Sequence, residues 1–132
     1  MDPLFLNIQV DCEATQHSIN DPALGERALA GLAEILGSTG TKATFVVIPS
    51  DIRVHHSIYR DLAGQGHEVG LHVHPADLGC EEFLGVYGLD EQVKIIGSAA
   101  DVFAEAMGVR PAAFTPGYFS ANDHTFPALE AV

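Results

Sequence analysis

Short unbroken apolar runs alternate along this chain with longer stretches in which apolar residues return every three or four positions. LFLNIQV (4–10), rich in branched residues and bounded by Pro3 and Asp11, predicts a buried strand. In DPALGERALAGLAEILGSTG (21–40), Leu24, Ala28, Leu32 and Leu36 lie one turn apart, which predicts a helix of about four turns. Asp21 is placed to cap its start, and Gly37 and Gly40 to stop it. KATFVVIP (42–49) predicts a second strand, and residues 50–66 a second helix, capped by Ser50 or Asp51 and ending in the Gly64–Gly66 region. HEVGLHVHP (67–75) predicts the third strand, residues 88–109 a longer third helix, and PAAFTP (111–116) a fourth strand. SANDHTFPALEAV then enters another helix, with Asn122 or Asp123 near its cap.

Strand and helix alternate throughout, which predicts right-handed crossovers and a mostly parallel α/β sheet. There is no internal repeat, low-complexity stretch or linker, so a single domain is expected over residues 1–132. The sequence stops at FPALEAV, inside an apparent helix. Four strands could form a small open fold or the first half of a larger barrel, the second leaving an edge strand to be covered.

Composition adds limits rather than identity. With 47% hydrophobic and 18% charged residues, 132 residues suffice for one core. No apolar run approaches the roughly 20 residues that cross a bilayer, and MDPLFLNIQVDCE lacks a basic leader, so a cytoplasmic protein without membrane contact is expected. Two cysteines, Cys12 and Cys80, are too few for a disulfide framework, although a single bridge stays open. Eighteen acidic residues against six basic ones give a net charge of -12, which makes nucleic acid and anionic membranes poor partners.

In parallel sheets, ligands gather at the carboxyl ends of the strands. Those ends read DCEATQH, PSD, HVHPAD and TPGYF. Side chains at i and i+2 of a strand share a face with Cα atoms about 7 Å apart, so His72 pairs with His74, and Asp11 with Glu13 if the first strand reaches that far. Two imidazoles with one or two carboxylates form a nitrogen and oxygen set suited to Zn²⁺ or another divalent ion. Either pair alone is an ordinary feature of a protein surface; the coincidence of both at one sheet end is what points to a metal.

The remaining histidines of the seven carry less. His67 begins the third strand at its far end and reads as a structural residue. His55 and His56 fall on the second helix, where exposure is expected. His17 and His124 lie in loops, exposed or overhanging the site as a general acid. Cys12 should point away from Asp11 and Glu13 as a small buried side chain, with thiolate ligation the alternative. Neither a Gly-rich phosphate loop nor a Gly-x-Ser-x-Gly elbow is present.

FLNIQVDCE, KATFVVIP, GHEVGLHVHP and VRPAAFTPGYFSAND, in this order, resemble the polysaccharide deacetylase (NodB-like, carbohydrate esterase) family, as the N-terminal half of a divergent member. The strongest element is Gly66 to Pro75. The resemblance implies a distorted (β/α) barrel, with about four β/α units in this chain and the rest of the domain beyond it. It implies a metal-dependent hydrolase that removes acetyl or similar groups from amino sugars or related C–N bonds. Carried over residue by residue, Asp11 matches the base, Glu13 the carboxylate ligand, and His72 and His74 the histidine ligands. The ion would be Zn²⁺ first, with Co²⁺, Ni²⁺ or Fe²⁺ also suited. Thr115, Pro116, Gly117 and Tyr118 fall in the family's third motif and are expected to contact a carbohydrate or small amide substrate.

Three departures accompany this resemblance. The family's first motif has two adjacent aspartates, where this chain has Asp11-Cys12-Glu13. Its histidines are spaced four apart, not two. Its third motif carries an arginine that steadies the base; Thr115 stands in that place, and Arg110 lies before the strand, where it should not substitute. The family's later motifs, including the general-acid histidine, would fall beyond Val132. Two rivals follow: an inactive metal- or sugar-binding relative, and a hydrolase of the amidohydrolase type, in which His-x-His normally follows the first strand. Homo-oligomerisation stays open.

Overall fold

The computed structural model describes residues 4–132. Four strands, β1 (Gln9–Cys12), β2 (Thr44–Val47), β3 (Glu68–Val73) and β4 (Phe114–Pro116), form one parallel sheet in sequence order. They alternate with α1 (Pro22–Thr39), α2 (Pro49–Gly64), α3 (Leu89–Met107) and the short α4 (Thr125–Glu130). The result is an α/β half-barrel. Its curl is visible in one contact: the Thr115 hydroxyl of β4 lies 3.3 Å from Gln9 Oε1 of β1. Three flat strand spacings would part those strands by about 14 Å, beyond the reach of both side chains.

The register aligns Cys12 with Val47, Val47 with Leu71 and Leu71 with Phe114, so these residues share the convex face. There they pack with Ile52, Tyr59, Leu62, Ile96 and Phe103 into the core. The alternate positions line the concave face and are polar apart from Val46 and Gly70: Gln9, Asp11, Thr44, Glu68, His72 and Thr115. A parallel sheet covered on both sides reads as unbroken apolar runs; here the second face is mostly polar, with the buried Val46 its apolar exception.

The expected first strand is displaced. Leu4, Phe5 and Leu6 are exposed, and β1 starts only at Gln9. Gln9 pairs with Thr44, the first residue of β2, so residues 4–7 have no β2 residue opposite them. Pro3, the expected boundary, lies outside the described residues. β2, β3 and β4 are likewise shorter than the apolar runs that announce them.

Asp21 caps α1 by accepting from the Leu24 amide at 2.9 Å, and Gly40 ends it at φ 64°. Its buried face is Gly25, Leu29 and Leu36, so of the expected stripe Leu36 is buried and Leu32 packs against the core while Leu24 and Ala28 are exposed. The rotation follows from Gly25, whose missing Cβ leaves room for Ala14 of the preceding loop. At α2, neither Ser50 nor Asp51 is the cap; Ile48 holds that position without a side-chain bond. Asp51 turns inward, fully buried, where it accepts from the Tyr59 hydroxyl at 2.8 Å and faces His55 Nδ1 at 2.8 Å. His55 is therefore buried, not exposed, with its other nitrogen 3.1 Å from the Pro22 carbonyl; His56 is exposed as expected. His124 is the cap position of α4, with Asn122 and Asp123 just before it as expected.

His67 is structural: buried, it accepts from the Ala43 amide at Nδ1, and burial beside Lys42 lowers its pKa. Cys12 and Cys80 are both free thiols. Among the described residues no helix is long and apolar enough to cross a membrane.

Candidate metal centre

β1 and β3 end at the same edge of the sheet, and the residues just past those ends turn toward each other. His72 is on β3; His74 follows it in extended conformation before a 3₁₀ turn, Pro75–Leu78. Glu13 follows β1. One Glu13 oxygen lies 3.4 Å from His72 Nε2, and the other lies 3.4 Å from His74 Nε2. Among the described residues this is the group of three or more potential ligands whose donor atoms come within 4.8 Å of one another.

The tautomers follow from the partners. His72 Nδ1 lies 2.8 Å from the Thr115 carbonyl, which can only accept, so this nitrogen carries the proton. His74 Nδ1 likewise donates to the Glu82 carboxylate at 2.8 Å. With Nδ1 so engaged, each ring directs its Nε2 toward Glu13. A ring fixed through its outer nitrogen by a carbonyl or carboxylate is the usual arrangement of a metal-binding histidine. Both rings are buried, at 2% and 3% exposure, so they are desolvated in advance.

The donor set suits a divalent ion in chemistry, and its ligand atoms lie within 4.8 Å of one another. Donors about 2.0–2.1 Å from a tetrahedral ion lie about 3.4 Å from each other. The two observed separations of 3.4 Å match that value and exceed the roughly 2.7–3.2 Å of a direct N–H···O bond.

Asp11 stands two residues before Glu13 on the concave face, exposed, and accepts from Gln9 Nε2 at 3.0 Å. It is not one of the clustered ligand atoms. Cys12 points to the convex side, where burial, partly opposed by a hydrogen bond with Tyr59, pushes its thiol up to about 12. A thiol so reluctant to ionise is a poor ligand. Arg110 pairs with Asp101 at an exposed position, and His17 and His124 are exposed.

The TPGY segment packs against the histidines from above. Thr115 holds His72 through its carbonyl, and Gly117 lies flat on the His74 ring. Tyr118 meets the same ring edge-on, with centroids 5.1 Å apart, and also contacts Phe83. Tyr118 and Phe119 both adopt left-handed backbone, at φ 55° and 52°, and remain largely exposed. Such conformations cost about 1–3 kcal/mol each in a side-chain-bearing residue. Glu82 and Phe83 carry no motif in the sequence; the acidic pair after Cys80 is the one visible trace of Glu82.

A family model described as polysaccharide deacetylase matches residues 20–132, beginning beyond Asp11 and Glu13. No curated protein sequence matches. Solved structures match over nearly the whole chain. Peptidoglycan deacetylase PdaC from Bacillus subtilis is 23% identical with a TM-score of 0.69, covering 92% of this chain and 52% of that one. A family 4 acetyl xylan esterase from Clostridium thermocellum, in complex with a cobalt ion, is 22% identical with a TM-score of 0.69, covering 96% and 55%. A CE4 family pseudoenzyme from Bacillus anthracis is 18% identical with a TM-score of 0.71, covering 94% and 39%. The chain thus spans about half the length of the first of these, and the likeness establishes the shared fold.

Proposed function

Because the chain belongs to the polysaccharide deacetylase family, we propose that it is a metal-dependent hydrolase that removes acetyl groups from the nitrogen of amino sugars, with residues 1–132 as the N-terminal half of one NodB-like domain. The observation that carries this reading is the Glu13 carboxylate, one oxygen of which lies 3.4 Å from the inward-facing His72 Nε2 and the other 3.4 Å from His74 Nε2.

In this reading Glu13, His72 and His74 hold the ion, Zn²⁺ before Co²⁺, Ni²⁺ or Fe²⁺ on their mixed donor set. When bound, the ion supplies Lewis acidity toward the acetyl carbonyl and a water of lowered pKa. Asp11 takes the proton of the attacking water, a role open to an exposed carboxylate on the concave face beside the ligands. Glu82 and the Thr115 carbonyl keep the ligand nitrogens aimed while substrate comes and goes. Tyr118 and Phe83 offer an exposed aromatic surface against which the apolar face of a sugar ring packs.

The test is bound metal and turnover in the full chain. Wild type should hold about one Zn²⁺ per chain, and His72→Ala or Glu13→Ala should lose most of it. Acetate release from N-acetylglucosamine oligomers should vanish on Asp11→Asn with metal retained. Absence of stoichiometric metal from wild type and mutants alike would sink the reading. A second reading is favoured by Thr115, which stands where the resemblance places an arginine, and by the similarity to a pseudoenzyme: a relative that binds metal or sugar without turnover. Stoichiometric metal with no acetate release would select it.

A further inference from the structure

Gln9 joins the two edges of the half-barrel. Its Nε2 donates to Asp11 Oδ1 at 3.0 Å, and its Oε1 accepts from the Thr115 hydroxyl at 3.3 Å, across 106 residues of chain. Chemistry fixes this orientation. The Asp11 carboxylate has no proton to give, so the amide NH₂ must face it, which leaves the amide oxygen to meet Thr115. Thr115 is buried at 8% exposure, so its hydroxyl has few other partners, whereas Gln9 and Asp11 are exposed and would otherwise sample several rotamers.

We propose that Gln9 is a positioning residue that aims the Asp11 carboxylate, and that Thr115, from the opposite edge of the sheet, selects the orientation of the Gln9 amide. This rests on the reading of Asp11 as the base. One oxygen of Asp11 is tied by the amide while the other is left free to accept a proton, and the carboxylate no longer swings with the solvent. The neutral amide holds the carboxylate without placing a second positive charge beside the metal ligands.

The experiment uses the full chain loaded with Zn²⁺ and follows acetate release from N-acetylglucosamine oligomers by wild type, Gln9→Ala, Thr115→Val, Thr115→Ser and Asp11→Asn. Gln9→Ala and Thr115→Val should lower kcat roughly 10- to 100-fold, the scale of a misaimed reacting group, with KM within about twofold. Thr115→Ser keeps the hydroxyl and should restore most of the loss. A purely structural Thr115 would give the reverse order, because Val fills the buried space of Thr and Ser does not; turnover that follows melting temperature overturns the proposal. Wild-type turnover in Asp11→Asn removes the base reading beneath it. A dead Asp11→Asn beside a fully active Gln9→Ala overturns the positioning role alone. A readout independent of turnover is the Gln9 side-chain amide signal in ¹⁵N-labelled protein. It should move in Asp11→Asn and Thr115→Val but not in Thr115→Ser, and a signal unmoved by the first two also overturns the proposal.

Discussion

Gly117 has no side chain because His74 occupies the space that one would need. A Cβ built there would lie 2.5–2.7 Å from three atoms of the imidazole ring. The ring has little room to yield, since Glu82 holds its Nδ1 at 2.8 Å and Tyr118 abuts its edge. Gly117→Ala should therefore push the His74 Nε2 away from Glu13 and weaken Zn²⁺ binding at least about tenfold, the scale seen when a ligand loses its support. Titration with a competing chelator would measure this, and unchanged affinity would show that the ring is free to slide. The clustering of Glu13, His72 and His74 was legible in sequence because the strand period of two puts His72 and His74 on one face and Asp11 with Glu13 on another strand's end. Glu82 was not legible, because its approach to His74 is set by the path of a loop that no periodicity describes.

Elements were read correctly in number and order, and less well at their ends and faces. His55 illustrates the difference. Ile52, His55, Tyr59 and Leu62 are all buried on α2, and their spacing is that of one helix face, so the signal for burial was present in the sequence. Polarity masked it, since a buried histidine requires partners that are supplied from Asp51 and, across α1, from the Pro22 carbonyl. The start of α2 shows the converse. Its own sequence caps nothing, and the cap comes from the loop behind His74, where the Asp77 carboxylate accepts from the Ser50 amide at 3.1 Å and from its hydroxyl at 2.8 Å. Asp77→Ala should cost about 1 kcal/mol, the value of a lost helix cap, and lower the melting temperature by about 4 °C. Thermal unfolding followed by circular dichroism checks this, and an unchanged midpoint would mean that water replaces the carboxylate without loss.

At the scale of the whole molecule, two forces act in opposite directions on self-association. β1 and β4 each pair on one side only among the described residues, and an apolar hollow lies beside each edge. The one beside β4, about 340 Å³, is lined by Leu71, Ile96, Phe114, Leu129 and Val132 with Arg110; the one beside β1, about 350 Å³, by Val10, Leu29 and Leu32 with Asp11, Glu13 and Asp51. Unpaired backbone flanked by apolar surface favours pairing with another copy. The net charge of -12 opposes it. The ranges of the two forces differ: edge pairing acts at contact, whereas charge repulsion reaches about 30 Å at roughly 0.01 M salt and only about 3 Å at roughly 1 M. Residues 1–132 on their own should therefore be monomeric at low ionic strength and associate as salt is added, the opposite of an assembly held by ion pairs. Sedimentation velocity across that range decides it. A monomer at every salt concentration would mean that the two edges are too short to pair, and association that weakens with salt would place the contact on charged surface instead.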